Sequence, residues 1–206
     1  MSLDLWFAFV VATAVITLIP GPCVLLLIGQ SLSQGMSPAF CSIVGILLGD
    51  LLLMVLSLMG LGTIMAASDV LFHAVKWAGV VYMAYLGYCQ IAEARKALRN
   101  PTSESLPMNM RQSLKAGFLS AALNPKGIMF YMAFLTQFID PALEPGAQII
   151  GLIVTSTVVV AAILGVYVVA AAQVRQLLMS GSFRKYTSYV SGGCLMGGSV
   201  MMAILR

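Results

Sequence analysis

Charge is what this sequence has least of. Of its 206 residues only 9% are Asp, Glu, Lys or Arg, against about 25% in a soluble globular domain. Histidine occurs once, at His73. Cys23, Cys41, Cys89 and Cys194 form no C-x-x-C pair and have no histidine at metal-ligand spacing. They read as small buried hydrophobes, so neither a structural metal nor a disulfide framework is expected, and no cofactor is implied. The chain also opens without Lys or Arg before its first apolar run, which argues against a cleaved secretory signal and for a retained helix.

What fills the sequence instead is apolar. Sixty per cent of residues are hydrophobic and the mean hydropathy is +0.98. A water-facing surface cannot be built from this composition, and the class it points to is an integral membrane protein. The net charge of +4 does not indicate a nucleic-acid partner, because the basic residues are confined to short loops.

A transmembrane helix needs about 20 mostly apolar residues. Six segments qualify, over residues 5–29, 39–65, 71–92, 116–139, 148–172 and 189–205. They lack the period-two alternation of a membrane barrel. Arg95, Lys96, Arg99, Arg111 and Lys115 follow segment 3, and Arg175, Arg184 and Lys185 follow segment 5, which accounts for eight of the 11 basic residues. By the positive-inside rule these two loops are cytoplasmic and both termini lie outside.

The first loop divides a single transporter domain, 1–206, into repeat one (about 1–92), a basic linker (about 93–115) and repeat two (about 116–206). Each repeat has three helices. An odd number means that the second repeat enters the bilayer from the opposite face, as in an inverted repeat. The expected fold is therefore all-α and integral to the membrane, six helices in two inverted halves. The first helix of each half is broken at proline, by "LIPGPC" at 18–23 and "LNPKG" at 123–127.

Two charges stand deep in these segments. Asp50 lies in "IVGILLGDLLLMVL", about 16 Å into its helix at 1.5 Å per residue. Lys126 reaches a similar depth in segment 4. A buried membrane charge is a functional-site hypothesis by default, and opposite signs at one depth suggest a pair. Proline removes a helical hydrogen bond, so each break frees backbone groups. Gly21 between Pro20 and Pro22 permits a left-handed turn. Asn124 is placed to cap, and Pro125 to begin, a new half-helix. Lys126 then stands in a first turn whose dipole repels it, so it needs an anion: Asp50, a substrate carboxylate, or each in turn. The G-x-x-x-G pairs Gly45/Gly49 and Gly193/Gly197 read as packing sites, and Trp6 and Trp77 as interface anchors.

The blocks "LIPGPCVLLLIGQSLSQG", "GILLGD", "KWAGVVYMAYLG" and "ALNPKGIMFYMAFLTQF" resemble, in order and spacing, those of the LysE/RhtB amino-acid exporters. The resemblance implies a transporter of the bacterial inner membrane, not an enzyme, exporting amino acids or close derivatives in exchange for protons. Its pattern falls on Pro20, Gly21, Pro22, Gly49, Asp50, Gly79, Tyr82, Gly87, Asn124, Pro125 and Lys126. Thr136 departs from it, standing where many relatives have proline. The expected partners are an amino-acid substrate, protons and lipid, with a homodimer left open. An inorganic-cation exporter is the competing reading, although only one membrane acid is available for it. A membrane thiol–disulfide oxidoreductase would need a cysteine pair from segments 1 and 4, and residues 116–139 contain no cysteine.

Overall fold

The computed structural model describes residues 2–60, 109–140 and 142–178, with scattered positions between 70 and 92 and between 193 and 200. Predicted segments 3 and 6 and the linker therefore lie largely outside the described residues. Among those described there are helices and no strand.

Helix α1 covers Leu3–Leu18, with the Ser2 hydroxyl accepting from the Leu5 amide at 3.3 Å. It stops before Pro20. Helix α2, Pro22–Ser33, starts on a proline, which needs no amide partner in a first turn. The two axes differ by 55°. Helix α3 is Met36–Leu58, about 35 Å at 1.5 Å per residue, enough to cross a hydrocarbon core of about 30 Å.

Helix α4, Met110–Ala122, starts six residues earlier than the predicted segment at 116. Asn109 and Gln112 form a reciprocal capping box there, which holds a polar first turn that hydropathy does not register. Arg111 and Lys115 are thus helical and do not belong to the loop. Helix α5, Pro125–Phe134, continues as a 3-10 turn over Leu135–Phe138 that contains Thr136. It is bent from α4 by 57°. Helix α6, Pro145–Leu178, is longer than its predicted 148–172. By length and composition α3 and α6 each cross a bilayer, and each bent pair can form one further span.

The turn between α2 and α3 requires its glycine. Gly35 has φ +98°, and a Cβ there would stand 2.6 Å from Nη1 of Arg175. Gly35→Ala is expected to cost about 1–2 kcal/mol from the left-handed backbone alone, seen as a lower thermal unfolding temperature in detergent.

The closest helix pair is α3 on α4. A Cβ on Gly45 would overlap the Leu114 carbonyl oxygen, and one on Gly117 the Ser42 carbonyl oxygen. Gly49 faces Ala121 and the Phe118 carbonyl, both 2.8 Å from where its Cβ would be. Lipid is as apolar as leucine, so membrane helices gain from close approach and hydrogen bonds more than from hydrophobic burial. Serines add the second kind. Ser42 donates to the Ser113 carbonyl at 2.7 Å, Ser57 to that of Tyr131 at 2.6 Å, and Ser31 to that of Val168 at 2.8 Å.

Outward faces are apolar at helical spacing, as with Phe7, Val11 and Val15 on α1 and Ile150, Val154 and Val158 on α6. In water such stripes would be an aggregation surface, while in a bilayer they are solvated. This is a multi-pass membrane protein. Inside, two apolar clusters form, one around Leu27, Ile43 and Val168, the other around Phe9, Met54 and Leu152. A cavity lined by members of both clusters contains residues of both helix breaks.

Candidate functional site

The site begins with backbone. Where α1 ends, its last carbonyls lose their helical partners. Three are satisfied by side chains from elsewhere. Nζ of Lys126 donates to the carbonyls of Ile16 at 2.7 Å and Ile19 at 2.8 Å. The Tyr167 hydroxyl, from α6, donates to that of Leu18 at 2.7 Å.

This answers differently the question of what Lys126 pairs with. No ion pair joins it to Asp50 among the described residues. The ammonium, repelled by the positive start of its own half-helix, reaches across to the negative end of another. Gly21 makes that reach possible, since a Cβ on it would stand 3.3 Å from Nζ and 3.5 Å from Cε. The left-handed turn that Gly21 permits is not used. Its backbone is extended, with φ −139° and ψ −170°. Glycine is needed here for space, not for conformation.

The second break is built as its sequence suggests. Asn124 is the N-cap of α5, its Oδ1 accepting from the Lys126 amide at 3.1 Å, and Pro125 takes the first turn. Nδ2 of Asn124 turns the other way and donates to Sγ of Cys23 at 3.6 Å. The Ser120 hydroxyl donates to the same sulfur, also at 3.6 Å. So Asn124 bonds to one break and caps the other. By contrast, no side chain caps the start of α2.

Asp50 comes from α3. Its Oδ1 stands 3.9 Å from where a Cβ on Gly127 would be. It shares a partly open cavity of about 50 Å³ with Lys126, Gly21, Cys23 and Asn124. No described residue places a hydrogen bond on its carboxylate. A carboxyl group without a donor thus faces the same space as a lysine with two of its three N–H groups engaged. Among the described residues, no three His, Cys, Asp or Glu side chains converge as a metal site would need.

The model of the LysE type translocator family matches residues 14–204. The chain belongs to that family. The chain is 28% identical to a membrane protein of Vibrio cholerae over the whole of both chains. It is 32% identical to a Pseudomonas aeruginosa membrane protein over 67% of this chain and 65% of that one. To the leucine efflux protein of Salmonella typhimurium it is 30% identical, over 66% of this chain and 63% of the relative. No solved structure matches the chain.

Not every predicted site residue of the translocator meets at the cavity. Gly21, Asp50, Asn124 and Lys126 do. Pro22 is buried in the first turn of α2, while Pro20 is exposed. Gly49 serves the α3–α4 contact instead. Tyr82 is helical and partly buried, and does not line the cavity. Two contributors had no sequence signal to give them away. Tyr167 lies in a segment without a motif, and Ser120 looks like one more small helical residue.

Proposed function

We propose that this translocator exports amino acids or close derivatives across the bacterial inner membrane in exchange for protons. The observation that carries the reading is Asp50, an acid without a described hydrogen-bond donor, in one cavity with Lys126 and the uncapped start of α2. The substrate ammonium binds Asp50. Its carboxylate takes the free amides at the start of α2 and the third N–H of Lys126, the use that broken membrane helices make of such ends. A proton arriving from the periplasmic side then replaces the ammonium on Asp50 and releases the substrate outwards. The two proline-broken spans, bent by 55° and 57°, act as the hinged members of two inverted repeats that rock against each other, with both termini periplasmic. The name of the Salmonella relative, a leucine efflux protein, agrees with this class of cargo.

Asp50→Asn keeps the shape and removes the charge. Proton-driven amino-acid export in proteoliposomes is expected to fall roughly 10- to 100-fold, the factor corresponding to a lost charge-assisted hydrogen bond of about 1.5–3 kcal/mol. Its response to an imposed pH gradient should vanish. Wild-type rates and pH response in the folded variant would refute the proposal.

A further inference from the structure

We infer that Val160 and Leu164 on α6 form the wall that reads the substrate's side chain, and that they restrict the cargo to amino acids with uncharged aliphatic side chains. This rests on the amino-acid reading above and goes further, because the groups just assigned are common ground. Every amino acid has an ammonium for Asp50 and a carboxylate for α2 and Lys126. Selection must come from the rest of the cavity.

Among the described residues, the rest of the cavity offers a polar side chain very little. The Thr17 hydroxyl is spent on the Thr13 carbonyl at 2.7 Å. The Tyr131 hydroxyl and that of Ser156 hold each other at 2.8 Å. Asn124 uses its oxygen on the Lys126 amide and its nitrogen on Cys23. A hydroxyl, amide or second charge on the substrate would enter without a partner, and a buried polar group in that position is disfavoured.

Helix α6 supplies the apolar surface with nothing else attached. Val160 and Leu164 are one turn apart, face the cavity and are only 4% and 2% exposed. The polar groups flanking them on α6 are occupied, Ser156 by Tyr131 and Tyr167 by the end of α1. Val24 and Ile46 also line the cavity, but each is tied to charge handling: Val24 sits in the first turn of α2, and Ile46 one turn before Asp50. The pair on α6 packs in one core cluster with them but carries neither the charged side chain nor the helix start.

The test is counterflow in proteoliposomes of the full chain, with labelled leucine, phenylalanine, serine, lysine and glutamate. Wild-type protein is expected to prefer leucine over serine, lysine and glutamate by about 100-fold, the scale on which an apolar pocket discriminates. Leu164→Ala and Val160→Ala should raise the phenylalanine-to-leucine ratio by about 10-fold. Leu164→Val, the gentler change, should move it the same way by less if the alanine variants do not fold. A wild type that prefers serine, lysine or glutamate would overturn this inference and leave the amino-acid reading standing. Transport of none of the five would overturn both. Folded variants with an unchanged ratio would reduce Val160 and Leu164 to packing residues and overturn the assignment.

Discussion

Lys126→Met is expected to abolish transport and to loosen the fold at once. The variant keeps a side chain of similar length and loses the ammonium. The carbonyls of Ile16 and Ile19 then lose this donor. An unsatisfied buried group costs about 1–3 kcal/mol; the Ile16 bond is part-buried and the Ile19 bond exposed, so a loss near the lower end, about 1 kcal/mol, is expected, read as a modest drop in thermal unfolding temperature in detergent. Export should fall below about 1% of wild type, since the cavity also loses its only cation among the described residues, and loss of 2.7 kcal/mol already corresponds to about 100-fold. Lys126→Arg separates the two effects. It restores the charge, but its guanidinium is broader than the gap beside Gly21, so stability should return in part and transport should not. If the methionine variant melts and transports like wild type, Lys126 holds neither break.

The second large effect is structural. Gly117→Val should prevent accumulation of a monodisperse protein. Its Cβ would overlap the Ser42 carbonyl oxygen. The obstacle is backbone, which cannot swing aside, so α3 and α4 must separate. Overpacking typically costs about 1–3 kcal/mol, occasionally more, and the upper end is expected where backbone meets backbone. Separation also moves Asp50, carried by α3, away from Asn124, which follows α4. Gly151→Ala is the matched control. Nothing lies within 4 Å of its added Cβ, and alanine is favoured over glycine in a helix by about 0.5–1 kcal/mol. The two variants should therefore separate clearly in size-exclusion profiles and melting temperature.

The parts of this site that sequence made legible are those whose physics is local. Proline beyond a first turn breaks or kinks a helix, so "PGP" and "NPK" inside long apolar runs announced two bends. Asn before Pro announced a cap, which Asn124 provides. Charge is so scarce in these segments that Asp50 and Lys126 were bound to attract notice, and they do share a cavity. What stayed hidden were relations between distant groups. The partners of Lys126 are carbonyls, which every residue possesses. Which ones lack a bond depends on where α1 ends and what lies across from it. Gly21 was legible as a glycine and misread as to purpose, because the lysine that fills its missing side chain is more than a hundred residues away. The two G-x-x-x-G pairs look alike in sequence. Gly45 and Gly49 press against α4, whereas a Cβ on Gly193 or Gly197 would meet nothing within 4 Å among the described residues. Helix α4 began early because a reciprocal cap, not hydropathy, sets its start.

The crosswise bonds at the two breaks have a mechanical consequence. One side chain of the α5 break holds the end of α1, and another is bonded to the sulfur just inside α2. Neither bend can straighten on its own without stripping the other of its hydrogen bonds. Two flexible joints, far apart in the chain, are thereby geared into one. The linkage has a single degree of freedom, and the cavity lies at its axle.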